Sequence, residues 1–117
     1  MASTIDPTLA KSLIKEFQQQ NASAKGPGLT TPDGSFINGF FVDRASLESI
    51  LSDPKIVGIS LEYAKHPDFT GKDGNVFTII FVGVIPNTDP GASSPFISSG
   101  SYFDQMPPCP PSCPVLL

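Results

Sequence analysis

The residues best suited to chemistry are two cysteines near the end of the chain. Cys109 and Cys113 are separated by Pro-Pro-Ser. Two thiolates this close in sequence could bind a soft metal ion or form a redox pair. Familiar redox pairs, however, have two intervening residues at the start of a helix, where the helix dipole lowers the thiol pKa. A structural zinc site needs four ligands, and His66 is the one further soft ligand in the sequence.

The prolines around the cysteines argue against a bond between the two sulfurs. Adjacent prolines keep a chain extended and oppose the reversal that would bring the thiols together. We therefore expect free thiols, with a disulfide under oxidising conditions as the main alternative. A metal or redox role is the least favoured of the three interpretations, so no metal site is predicted.

Histidine is the residue type most often used in acid–base chemistry, and His66 is the one histidine in the sequence. A general base needs a partner that orients it, and Asp68 lies two residues away across a proline. No Gly-x-Ser-x-Gly, His-Glu-x-x-His or phosphate-loop motif accompanies it. We interpret His66 as a solvent-facing loop residue.

The carboxylates offer no clear acid–base pair. Glu62 lies on the polar face of a predicted strand, and glycoside hydrolysis would need a second carboxylate within roughly 5–9 Å. Asp43 and Asp53 are better explained as helix boundaries. The sequence therefore predicts no catalytic residue and no cofactor, and we do not expect an enzyme.

The sequence predicts two helices in the first half of the chain. Asp6-Pro7 is a typical helix start, and apolar residues then recur at helical spacing, which predicts a helix over 7–20. Asp43 should cap a second helix over 44–52, which ends before Asp53-Pro54 because the residue before a proline avoids the helical region. The glycine- and proline-rich stretch 21–34 is a loop.

Three strands follow from the remaining patterns. Residues 35–42 are rich in Phe and Ile, residues 55–64 alternate between apolar and polar, and residues 76–85 are apolar on both faces apart from Thr78. A turn-rich segment, 66–75, should join the last two strands. The fold class is α+β in the order α-β-α-β-β. We expect an antiparallel or mixed sheet of three or four strands, with the helices on one face.

Three glycines lie near the middle of the predicted strands. Gly39, Gly58 and Gly83 could mark bulges or a close approach of backbone or ligand. On one face, together with Glu62, they would form a shallow concavity for an aromatic ring or an extended peptide. The favoured alternative is that they relieve crowding beneath the neighbouring phenylalanines.

The segment 87–117 differs in composition from the compact domain predicted over 1–86. Thirteen prolines occur in the chain, five of them in the last eleven residues, and the segment has room for one short strand at most. It is predicted to be an extended arm, either loosely docked or disordered, that binds a partner or folds back over its own sheet. The candidate binding residues are Tyr102, Phe103, Met106, Pro108, Cys109, Pro111 and Cys113, followed by the apolar terminus Val115-Leu116-Leu117.

Charge and hydropathy exclude several partner classes. The net charge is −4, and the seven basic residues are scattered rather than gathered into the stripe that nucleic-acid backbones and anionic membranes require. Neither a secretory signal nor a stretch of about 20 apolar residues is evident, so we expect a cytoplasmic protein.

Three functions are consistent with these patterns. The favoured one is a non-catalytic interaction or accessory module that recognises a protein partner, or itself, through its sheet surface and its Pro/Cys-rich arm. The second is a ligand-binding or enzymatic domain with a pocket near Gly58, Ser60, Glu62 and His66. The third is a precursor whose tail presents Cys109, Ser112 and Cys113 for modification.

Overall fold

The computed structural model describes residues 2–104 and 106–116. Within them the chain forms an α+β fold, which confirms the predicted class. Two α-helices and five strands follow one another as α1 (Pro7–Ala22), β1 (Gly39–Phe40), α2 (Arg44–Ile50), β2 (Gly58–Lys65), β3 (Phe77–Pro86), β4 (Phe96–Phe103) and β5 (Pro108–Cys109). A single 3-10 turn, Pro67–Phe69, lies between β2 and β3.

The main sheet is antiparallel and three-stranded, in the order β2-β3-β4. In the centre of the sheet Leu61 of β2 pairs with Phe81 of β3, which pairs with Phe103 of β4. The sequence suggested the segment 35–42 as the third strand of this sheet, but that place is taken by β4. That segment contributes only β1, which pairs with β5 in a separate two-stranded sheet.

The segment 87–117 thus holds two strands, whereas at most one short strand was predicted. The pattern of β4 is hidden because the strand is irregular. Ser98 pairs with Val84 and Tyr102 with Val82. Between these two pairs β4 has three residues where β3 has one. Gly100 lies in this bulge with φ +90°, which favours glycine. Such a bulge breaks the two-residue alternation by which strands are recognised.

The hydrophobic core lies on one face of the main sheet, which we call the core face. Ile50 of α2 packs there against Ile79 and Phe81 of β3, and Met106 completes the buried cluster. Phe40, Val42, Ile59 and Phe103 pack around it and are partly buried. The residues after β4 therefore supply part of the core.

Helix α1 is fixed to the rest of the molecule at its C-terminal end. The Asn21 side chain is fully buried and donates to the carbonyls of Leu29 (3.0 Å) and Ile37 (2.9 Å). Its oxygen accepts from the Leu29 N–H at 2.7 Å. Gly26 packs directly on the Gln20 carbonyl, where any Cβ would collide with the helix backbone. These contacts set the direction in which α1 leaves the fold.

Helix α2 begins at a charged cap that makes the stability of the fold depend on pH. The Ser46 hydroxyl and then the Ser46 N–H donate to the Asp43 carboxylate, which lowers the pKa of Asp43 below its ordinary value of 3.8. Because the folded pKa lies below the unfolded one, the carboxylate stabilises the fold above pH 3.8, and this contribution is lost as pH falls through the folded pKa.

We expect the free energy of unfolding to fall less steeply with decreasing pH in Asp43→Asn than in wild type. Urea unfolding of wild type and variant should be compared from neutral pH down to the most acidic pH at which both fold. Asp73→Asn, a change at an exposed aspartate outside any helix, is the control. Equal acid slopes for wild type and Asp43→Asn would contradict the assigned role of this cap.

Candidate interaction surface

An apolar groove runs along the core face where the helices leave it uncovered. We call it the apolar groove; its volume is about 560 Å³. Its floor is formed by the strand residues Ile59, Leu61, Tyr63, Ile79 and Phe81. Its walls come from Phe17 of α1, from Leu47 of α2 and from the 37–42 segment. Both helices therefore lie on the same side of the sheet, and the groove opens between them.

The floor of the groove is exposed at the edge strand β2. By register Leu61 lies beside the buried Phe81 and Tyr63 beside the buried Ile79. Yet Leu61 is 58% exposed and Tyr63 80% exposed. The core face thus continues beyond the part that the helices and Met106 cover. Exposed apolar patches of this kind commonly mark interaction sites.

Helix α1 presents a second exposed apolar surface. Leu9, Leu13 and Phe17 follow one another every four residues, and Ile14 lies next to Leu13 on the same side of the helix; we call these four residues the α1 stripe. Each is between 39% and 49% exposed. Only Phe17 reaches the apolar groove. An amphipathic helix normally buries such a stripe, so most of this one is without cover.

The overall dimensions agree with this surplus of exposed surface. The radius of gyration is 16.5 Å, against about 13 Å for a compact chain of this length. The accessible surface is 8390 Å², about 2,300 Å² more than the roughly 6,100 Å² typical of a folded monomer of this mass. The protein therefore has enough surplus surface for a stable interface.

The three strand glycines do not form one concavity. Gly39 borders the apolar groove, whereas Gly58 and Glu62 lie on the opposite face of the sheet, beside a separate cavity of about 600 Å³. Gly83 pairs with Ile59, so it lies on the core face. A Cβ on Gly83 would meet the Ile56 side chain at 2.6 Å, so crowding accounts for this glycine.

His66 also lies apart from the pocket suggested by the sequence. It is half-buried beside a cavity of about 310 Å³ that Thr78 and Asp104 also line, whereas Ser60 and Glu62 border the other cavity. Its Nδ1 accepts from the Asp68 N–H at 3.2 Å and caps the 3-10 turn. The structure therefore does not bring His66 together with Ser60 and Glu62.

The candidate residues of the arm are divided between core and surface. Met106 and Cys109 are buried, Phe103 packs on the core, and Pro108 is half-buried in β5. The exposed members are Tyr102, Pro111 and Cys113, followed by Val115 and Leu116. The terminal Leu117 lies outside the described residues. Much of the arm thus folds back onto the protein, which was one of the two expected outcomes.

Cys109 and Cys113 form a disulfide, which corrects the expectation of free thiols. The argument from extended prolines fails because the chain reverses between them. Ser112 N–H donates to the Pro108 carbonyl at 3.0 Å, and the two Cα atoms are 4.7 Å apart. The peptide bonds Cys109–Pro110 and Pro110–Pro111 are cis.

Breaking this disulfide should cost little more than the entropy of a short loop, about 2 kcal/mol. We therefore expect Cys113→Ser, whose new hydroxyl is exposed, to lower the free energy of unfolding by about that amount. Cys109→Ser should cost more, because it also places a hydroxyl at a buried position. Urea unfolding of both variants measures the difference. A Cys113→Ser variant less stable than Cys109→Ser would contradict the assignment of Cys109 to the core.

Comparison of the chain with protein-family models, with curated proteins and with solved structures gives no match in any of the three. Among residues 2–104 and 106–116 no three metal-ligating side chains lie close enough to share an ion. No helix in that part of the chain is long and apolar enough to span a bilayer.

Proposed function

We propose that this protein is a non-catalytic interaction module that binds the apolar face of an amphipathic helix in the apolar groove. The observation that carries the proposal is the exposure of Leu61 and Tyr63 on a face whose other half is the hydrophobic core. Burying exposed Leu and aromatic side chains contributes about 25 cal/mol per Å² of apolar surface. A partner seated there would extend the core of the protein.

The dimensions of the apolar groove favour a helix as its occupant. Along β2 the floor runs from Ile59 to Tyr63, which span about 14 Å. A helical segment of about nine residues has a similar length. Helix-in-groove recognition uses apolar side chains at intervals of three and four residues. Phe17, in the second half of α1, already places one helical aromatic side chain in the wall of this groove.

A small-molecule ligand fits the apolar groove less well. Sites for small molecules enclose most of the ligand and orient it with several convergent polar groups. Here Asn38 is the one side chain with an amide among the residues that line the groove, and the rest are apolar apart from the Tyr63 hydroxyl. The groove is also open along the edge strand β2.

In this proposal the arm holds the groove together rather than contacting the partner. The Phe41 N–H donates to the Pro107 carbonyl at 2.8 Å, and the Asn38 N–H donates to the Cys109 carbonyl. These bonds fix the 37–42 wall. A disulfide so placed persists best in an oxidising compartment. We therefore propose such a compartment as the working environment, in place of the cytoplasm expected from the sequence.

A peptide titration tests the proposed function. The probe is a fluorescein-labelled 18-residue amphipathic peptide with leucines at positions i, i+4, i+7 and i+11, compared with a peptide of the same composition in scrambled order. We expect saturable binding of the amphipathic peptide alone, measured by fluorescence anisotropy. Leu61→Asp should weaken it by at least about tenfold, because it removes apolar contact worth more than 1.4 kcal/mol and places a charge on the groove floor.

The matched control is Val115→Asp, a charge introduced at a position that is 85% exposed and outside the groove. This variant should bind as wild type does. Equal binding of the two peptides, or equal affinity of wild type and Leu61→Asp, would overturn the proposal.

A further inference from the structure

We infer that the helix bound in the apolar groove is α1 of a second copy of this chain. The two copies would exchange contacts, so that Leu9, Leu13 and Ile14 of each α1 stripe lie in the groove of the other, beside the Phe17 that already lines it. This inference rests on the proposed function and names its partner. It starts from one fact, that the same chain exposes both an apolar helix face and an apolar groove.

Helix α1 cannot readily fill the groove of its own chain. Three hydrogen bonds of the fully buried Asn21 hold the end of the helix against Leu29 and Ile37. Gly26 packs on the Gln20 carbonyl and fixes the exit of the chain. In this direction Phe17 reaches the groove while Leu9 and Leu13 remain exposed. Turning the whole stripe inward would break the buried bonds of Asn21.

The exposed surface is sufficient for a stable dimer. The accessible surface exceeds that of a typical monomer of this mass by about 2,300 Å². A standard protein interface buries about 800 Å² on each partner. The surplus therefore leaves room for both halves of an exchanged interface, in which each copy buries its stripe and its groove at once.

The arrangement also satisfies the geometry of a closed dimer. A two-fold axis lets surface A of one copy contact surface B of the other while B contacts A. Because each copy has one stripe and one groove, two copies leave neither surface unpaired. The exposed part of the α1 stripe, from Leu9 to Ile14, spans about 8 Å along the helix and fits within the groove floor from Ile59 to Tyr63, which spans about 14 Å. A closed dimer is thus favoured over an open chain of copies.

The test is the mass in solution, measured by size-exclusion chromatography with light scattering. Wild type should elute with about twice the chain mass of 12.4 kDa. Leu13→Asp, in the α1 stripe, and Leu61→Asp, in the groove, should each weaken self-association by at least about 100-fold, since each damages both contacts of the dimer. Val115→Asp should remain dimeric. Far-UV circular dichroism of every variant establishes that it is folded.

Mixing the two weakened variants gives the sharpest result. In a mixed dimer the intact stripe of Leu61→Asp meets the intact groove of Leu13→Asp, so one of the two contacts is restored. We therefore expect the mixture to associate more tightly than either variant alone. A monomeric wild type, or a mixture no more associated than its components, would overturn the exchange.

The peptide titration repeated on Leu13→Asp separates this inference from the proposed function. Saturable binding to a monomeric wild type would leave the groove as a helix-binding site and refute only the second copy as its occupant. Absence of peptide binding to a monomeric Leu13→Asp with an intact groove would refute both.

Discussion

Replacing Asn21 with alanine should lower the free energy of unfolding by about 3 kcal/mol, a large change for one polar side chain. The Asn21 amide is fully buried and makes three hydrogen bonds to the backbone of Leu29 and Ile37. Alanine would leave two carbonyls and one N–H without their partner. Each buried polar group left unsatisfied costs about 1–3 kcal/mol. Water that enters the space left by the side chain would bond to some of these groups and reduce the total cost.

Urea unfolding with wild type as reference measures this cost. The matched control is Asn75→Ala, because the Asn75 amide is exposed and makes one bond, to the Pro27 carbonyl at 2.8 Å. That variant should lose no more than about 1 kcal/mol. Equal losses for Asn21→Ala and Asn75→Ala would show that the buried amide does not anchor α1.

The second large effect is a difference in stability loss between two residues that pair across neighbouring strands. Phe81 and Leu61 are register partners on the core face, but Phe81 is 5% exposed and Leu61 58% exposed. We expect Phe81→Ala to cost about 3–5 kcal/mol of stability, because it leaves a cavity beside Ile50 and Met106. Leu61→Ala should cost less than about 1 kcal/mol while weakening binding of the amphipathic peptide.

Stability has to be measured at protein concentrations where the wild type is monomeric, because an interface formed only by the folded state adds to apparent stability. Val57→Ala serves as the control for binding. Val57 is an exposed apolar residue directly before β2, and it is not among the residues that line the groove. If Leu61→Ala destabilised the monomer as much as Phe81→Ala does, Leu61 would belong to the core and the groove would lose its role.

Local signals predicted the helices and the two regular strands of the main sheet. Asp6-Pro7 begins α1 and Asp43 begins α2, because caps depend on residues next to them in sequence. The alternation of 55–64 and the apolar run 76–85 correspond to β2 and β3, with boundaries shifted by one to three residues. The main sheet's third strand was missed because its bulge at Gly100 disrupts the alternation.

The apolar groove could not be predicted in the same way. Alternation tells which face of a strand a side chain points to, but not whether another element covers that face. The patterns of β2 and α1 therefore do not reveal that Leu61, Tyr63 and the α1 stripe are exposed. Their exposure depends on the direction of α1, which Asn21 sets through contacts eight and sixteen residues away. The disulfide was missed for a related reason, since the turn from Pro108 to Ser112 reverses a chain that prolines were expected to extend.

Methyl-resolved NMR of the full chain gives the most direct view of the apolar groove as a recognition surface. The amphipathic peptide is added to uniformly labelled Leu13→Asp protein, whose groove is intact and not occupied by a second copy, and the methyl shifts are followed to saturation. We predict that the largest shifts belong to Leu47, Ile59 and Leu61, which line the groove, and that Ile97 and Val115, which lie outside it, stay in place. Unchanged groove methyls in the presence of bound peptide, or the largest shifts at Ile97, would contradict the assignment of this surface.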